Sequence, residues 1–260
     1  MEMNDMNRRY TLLILMLVAC LLCPNLSAQK TPKAKTYLKA KDLPNAMLFL
    51  PPPPQDSTAD FERDVRLHEQ AKALRNTARG KRAIAEATTN VDTMAALFSG
   101  AFGMELSQEA TPKTMHLLRR SIRTFRLSAS GPKKAYLRKR PYVYSHEHTL
   151  IPGHELAETM SGSYPSGHTV RGWGMALVLS QLRPERQDTL LHAGYEWGQS
   201  RVIAGYHWQS DIDAARLLAS ACFARLQADP EFMKDLAAAR RELQSSQRHL
   251  RNQRRKKTRP

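Results

Sequence analysis

Ser200-Arg201-Val202-Ile203-Ala204-Gly205-Tyr206-His207-Trp208-Gln209-Ser210-Asp211 places an arginine, a histidine and an aspartate at fixed intervals where one helix gives way to the next. Helical spacing before and after it predicts helices over 189–200 and 210–227, with the polar residues at their junction. Sustained strand alternation is absent along the chain, so the expected fold class is all-α. Two upstream stretches carry related chemistry. One is Gly162-Ser163-Tyr164-Pro165-Ser166-Gly167-His168-Thr169; the other is Lys133 followed, after six residues, by Arg140-Pro141.

Together these stretches suit phosphoryl transfer. A phosphomonoester dianion needs donors on its oxygens, a nucleophile in line with the leaving oxygen, and an acid to protonate that oxygen. Lys133, Arg140 and Arg201 can supply charge-assisted hydrogen bonds. Ser166 and the Gly167 N–H sit at a helix start, where free N–H groups favour an anion. His207 is the candidate nucleophile. Asp211, read as one helical turn on, would hold the other ring N–H and fix the tautomer. His168 is then the acid for the leaving group and later the base for water. One imidazole must start neutral and the other protonated, so activity should favour mildly acidic conditions. Taken singly, each piece has a plainer reading. Pro165-Ser166-Gly167-His168 could be an ordinary helix start, and Lys133 to Arg140, beside Lys134, Arg138 and Lys139, a solvated basic face. Arg201 with Asp211 could be a structural ion pair.

Outward from the motifs, 260 residues suit one domain, and a net charge of +16 attracts phosphorylated molecules, anionic surfaces or polyanions without choosing among them. Arg8 and Arg9, the apolar run Leu12–Cys23 and the small residues at Ser27-Ala28 read as a secretory signal over 1–28, cleaved after Ala28. Leu17-Val18-Ala19-Cys20 also fits a lipoprotein box, which would leave a lipidated Cys20. The Leu21-Leu22 beyond it extends the apolar run past that point and favours Ala28. Cleavage there leaves Cys222 alone, with no intramolecular disulfide. Because Glu2, Asp5, Arg8 and Arg9 cancel, the mature chain keeps its whole charge excess.

Residues 29–57 read as an extended, Lys- and Pro-rich lead-in ending in the stiff Pro51–Pro54 spacer, with Asp56 or Ser57 as N-cap of the first expected helix. Residues 58–247 form the helical domain. Expected helices cover 58–79, where Asp60, Glu62 and Asp64 enrich the first turns in acid, then 81–102 and 113–125. A turn comes next over 128–132. Further helices begin at Gly167, stopping near Pro184, and at 230, running to 247. Residues 248–260 carry a block of arginine and lysine without an acid and are expected to be disordered, either a solvated tail or one that touches an anionic surface.

Lys-x6-Arg-Pro, Pro-Ser-Gly-His and Ser-Arg-x5-His-x3-Asp resemble the signature of the type-2 phosphatidic acid phosphatase and vanadium haloperoxidase superfamily. Gly162–Thr169, Gly205–Asp211 and the early Leu50–Pro54 are most similar to the bacterial class A non-specific acid phosphatases. Over residues 46–245 the resemblance implies a single-domain helical bundle and a periplasmic, metal-independent enzyme without cofactor whose subunits associate. It implies Lys133, Arg140, Ser166, Gly167 and Arg201 on phosphate, His168 as acid, His207 as the phosphorylated residue and Asp211 as its partner. A broad range of phosphomonoesters, nucleotides included, is the substrate class it implies. The chain departs from relatives in having Ala204 before Gly205 and no cysteine between Arg140 and Pro165, so a disulfide common among them is missing. A haloperoxidase would reuse the same pocket, but the class A signature and modest length argue against it. A membrane lipid phosphatase needs several apolar spans, and none lies beyond residue 23. A basic nucleic-acid or surface binder has the charge but no nucleic-acid motif.

Overall fold

The computed structural model describes residues 34–257. The expected leader and Cys20 lie outside the described residues, as does the end of the basic tail. Among the described residues all regular structure is helical. Three helices, α1 (Ala59–Lys72), α2 (Ala78–Ala85) and α3 (Val91–Phe102), lead to the long α4 (Pro112–Ser128). Short helices α5 (Ser130–Tyr136), α6 (Pro141–Ser145) and α7 (Glu155–Thr159) precede α8 (Gly167–Leu182). Then come α9 (Gln187–Ile203), α10 (Gln209–Leu226) and α11 (Pro230–Lys257).

α8 is the central element, packed against α4, α9 and α10, while α11 lies along α4. Its Val170, Met175, Ala176, Val178 and Leu179 are all fully buried, joining Phe98, Phe125, Trp197, Leu218 and Phe232 in one apolar core. Gly172 is what lets α8 and α9 close on each other. A Cβ there would lie 2.2 Å from the Trp197 indole, which cannot move without displacing its neighbours. No helix among the described residues is long and apolar enough to cross a membrane.

Several boundaries differ from those expected, for local reasons. The first expected helix is two. α1 stops at Lys72, and α2 restarts where the Thr77 hydroxyl accepts the Arg79 N–H at 3.1 Å. The second expected helix is likewise broken, because the Asn90 side chain caps α3 by accepting from Asp92 and Thr93. Thr58, not Asp56 or Ser57, caps α1, accepting the Phe61 N–H at 3.3 Å. The expected turn over 128–132 instead begins α5. The described part of the lead-in is docked rather than loose. The Tyr37 N–H and hydroxyl donate to Thr124 and Asp235, the Arg120 guanidinium covers its ring, and Leu50 and Pro53 are buried. At the other end α11 does not stop at 247 but continues to Lys257, since Arg, Lys and Gln are good helix formers and no Gly or Pro interrupts them.

Candidate active site

The junction of α9 and α10 does more than join two helices. α9 ends at Ile203, and Gly205, at φ 87°, turns the chain so that Tyr206 and His207 run ahead of α10. Trp208 is the N-cap of α10, and Asp211, in its first turn, reaches back to accept the Trp208 N–H at 2.9 Å. The same Oδ2 lies 3.3 Å from His207 Nδ1. His207 and Asp211 therefore meet through helix-cap geometry, not across a helical turn as their spacing suggests. On the far side of the ring, Arg140 Nη1 lies 3.3 Å from Nε2. A guanidinium can only donate, so Nε2 carries the lone pair and Nδ1 carries the hydrogen that faces Asp211.

Asp211 is wholly buried and heavily supported. The Arg138 Nη1 donates to its Oδ1 at 2.6 Å, and the Ser163 hydroxyl donates to its Oδ2. Burial opposes ionisation, but the His207 hydrogen bond and the Arg138 charge outweigh it and hold the carboxyl well below the usual range. Arg138 also binds Asp64 of α1 at 2.8 Å, and Asp64 receives the Ser210 N–H at 2.9 Å. The alternative of an Arg201–Asp211 ion pair is thus replaced by Arg138–Asp211. The basic run is not a solvated face either, because Arg138 and Arg140 are both turned inward while Lys139 is exposed.

His168 stands near the start of α8 on different supports. Its Nε2 lies 2.6 Å from the Glu86 carbonyl, which can only accept, so Nε2 is the protonated nitrogen and Nδ1 is left to exchange a proton. The ring stacks on Trp197, with centroids 5.3 Å apart and planes 12° off parallel. Glu86 is itself held by the Ser200 hydroxyl and by Arg82, and Ser200 receives Arg79 Nη1 at 2.8 Å. Burial lowers the pKa of both imidazoles well below the ordinary histidine value; for His168 the Arg201 and Arg171 charges lower it further. The expected split, one ring neutral and one protonated, is not built into the protein alone.

Between the histidines lies a cavity of about 850 Å³ lined by Lys133, Gly167, His168, Arg201 and His207. The basic residues differ in what they have to offer it. Arg201 is buried beside the Tyr206 ring with Nε and Nη1 unpartnered. Burial brings its pKa down to about 10, so it stays cationic. Lys133 Nζ donates to the Gly162 carbonyl, and burial together with the Arg140 charge lowers its pKa to about 7. Arg140 is fully engaged: Nε on the Glu158 and Ser161 carbonyls, Nη1 on the Tyr206 carbonyl, Nη2 on the Glu158 carboxylate at 2.6 Å. Ser166 caps α8, accepting from the Thr169 N–H and hydroxyl, which leaves its own proton to donate. Ser166 and Arg140 stand behind the residues that face the cavity.

Sequence reasoning missed Arg138, Ser163, Asp64, Glu86 and Glu158 as parts of this site. Asp64 did leave a signal, since Phe61, Asp64 and His68 form the buried stripe of α1 at helical spacing. Glu158 and the Glu86 carbonyl left none.

The PAP2 superfamily model matches residues 121–229. A non-specific acid phosphatase of Providencia stuartii is 42% identical over 207 residues, covering 79% of this chain and 84% of that protein. The non-specific acid phosphatase of Salmonella typhimurium is 41% identical over 201 residues, 76% of this chain and 80% of that one. An acid phosphatase of Zymomonas mobilis is 30% identical over 218 residues, 84% and 81% respectively. The chain belongs to the PAP2 superfamily and, within it, to the non-specific acid phosphatases.

Proposed function

We propose that this acid phosphatase hydrolyses phosphomonoesters through a phosphohistidine at His207. The observation that carries the reading is the pair of imidazoles facing one cationic cavity with opposite proton assignments. His207 presents a lone pair at Nε2, and His168 presents its exchangeable nitrogen at Nδ1.

In the first step the His207 Nε2 lone pair attacks phosphorus as the bond to the leaving oxygen breaks. That oxygen takes the proton from His168 Nδ1. Arg201, Lys133, the Gly167 N–H and the Ser166 hydroxyl hold the phosphoryl oxygens, with Arg140 closing the set once Glu158 yields it. Asp211 stabilises the cationic phosphoimidazole through Nδ1–H. In the second step His168 takes a proton from water, whose oxygen attacks phosphorus and breaks the P–N bond. Orthophosphate leaves and His207 is restored. The dianion raises the His168 pKa on binding, so the productive complex forms most readily below neutrality, where one proton can be captured with the substrate. Nothing in the grip is specific for the alcohol, which supports a broad substrate range with nucleotides among them. Export through the leader of residues 1–28 and self-association complete the proposal.

The test is rapid quenching of the enzyme with radiolabelled aryl phosphate, with and without a metal chelator. An acid-labile, alkali-stable label on His207, formed in both cases and lost with turnover in His207→Ala, is the expected result. A turnover-competent His207→Ala protein would remove His207 as nucleophile, and activity abolished by the chelator would make the route metal-dependent.

A further inference from the structure

The cavity carries more positive charge than one phosphoryl group uses. Besides Lys133 and Arg201 it is lined by Arg126, Lys134 and Arg171, with Glu158 the one carboxylate among its lining residues. That carboxylate is already paired with Arg140 at 2.6 Å. Arg171 lies on α8, three residues after His168 and four after Gly167, and so on the same face one turn deeper along the helix. Its Nε is buried without a hydrogen-bond partner. A buried guanidinium N–H left unpaired is destabilising, and the neighbouring charge that bears most on Arg171, that of Arg126 at the end of α4, is also a cation. Arg171 and Arg201 both bear on His168, the side from which the leaving group would depart.

We propose that Arg171, with Arg126 and Lys134, forms a second anion subsite for a phosphate carried by the leaving group, so that favoured substrates bear two phosphates, as nucleoside diphosphates do. This rests on the phosphohistidine reading, in which the phosphoryl group lies between His207 and His168. In such a substrate the terminal phosphate takes the Arg201 site. The adjoining phosphate, which departs as part of the monophosphate product, meets Arg171 while its bridging oxygen receives the His168 proton. Gly167, His168 and Arg171 of α8 all line the cavity, and the monoester reaction leaves the Arg171 end unused.

The experiment compares kcat/KM for release of the terminal phosphate of ADP with that for AMP, in the full chain and in Arg171→Gln and Arg126→Gln. The ADP to AMP ratio should fall about tenfold or more in Arg171→Gln, the loss expected for one charge-assisted contact, and severalfold in Arg126→Gln. Because Arg126 is exposed, its variant tests the idea even where Arg171→Gln folds poorly. Equal losses on both substrates would assign these residues to the phosphoryl site itself and overturn the proposal, as would an unchanged ratio in both variants. Calorimetry with methylenediphosphonate, whose P–C–P bridge cannot be hydrolysed, and orthophosphate separates this from the mechanism, since it needs no turnover. Methylenediphosphonate should bind more tightly than orthophosphate to the native chain and lose that advantage in Arg171→Gln. If it does so while His207→Ala still turns over, the subsite stands and the phosphohistidine falls.

Discussion

The two imidazoles of the site are held in contrasting ways. His207 backs onto a continuous polar wall, in which Asp211, Arg138, Asp64, Ser163 and Ser210 draw on four separated stretches of chain. His168 rests on one carbonyl and one indole face, and it borders the cavity. The difference matches what each ring would have to do. A phosphorylated imidazole becomes cationic in a buried place and needs a fixed counter-charge. A ring that only gives and takes a proton carries no lasting charge, and His168 is held by a carbonyl and an indole without a carboxylate on its ring.

The contrast can be broken most severely from the Asp211 side. Asp211→Asn removes the counter-charge and leaves Arg138 with Asp64 alone. Turnover of aryl phosphate should fall by about 10²–10⁴-fold, as when an orienting carboxylate is neutralised elsewhere. A rate within about threefold of the native enzyme would make the wall structural only. His168→Ala should cost about 10²-fold in kcat/KM, which reports the phosphorylation step and not the later attack of water, on an alkyl phosphate but less than about tenfold on 4-nitrophenyl phosphate, whose leaving oxygen needs little help from an acid. Equal losses on the two would deny His168 the acid role.

The smallest effect concerns His68, which touches the wall from behind by packing against Trp208 with both ring nitrogens buried and unpartnered. Burial, aided by Arg75 and Lys72 against the opposing Glu69 and Glu147, lowers its pKa to about 4. Below the ordinary histidine value the unfolded chain binds a proton that the folded chain refuses, so stability falls as pH drops from about 6.5 to about 4. His68→Phe should flatten that decline, read as a smaller loss of melting temperature between neutral and acidic buffer. An identical decline in both proteins would place the acid sensitivity elsewhere, with the two site imidazoles first in line.

How much of this the sequence disclosed runs along the same divide. His207, His168 and Arg201 stand out by their spacing around expected helix ends and Lys133 by its interval to Arg140-Pro141, and the all-helical fold was legible in the spacing of apolar residues. The supports are harder to see. Asp64 resembles any acidic residue in a first helical turn until α1 is known to bury the stripe that contains it, and Arg138 hides in a run of cations. Glu86 holds His168 through a backbone carbonyl, a group every residue possesses, so no side-chain pattern could reveal it. Broken helices at Thr77 and Asn90 were missed because capping residues inside a charged or apolar run look like part of it.

The stretch between α5 and α6 gives the interval from Lys133 to Arg140 a meaning beyond recognition. Residues 138–140 lie outside any helix, and their side chains alternate: Arg138 and Arg140 turn inward and Lys139 turns out. One arginine reaches Asp211 and the other His207 Nε2, gripping the pair from both ends. Inserting or deleting a single residue here would turn one arginine out to water and bring Lys139 in. The length of this stretch is therefore as much a part of the site as its two arginines, and only the Lys139 side chain between them faces water.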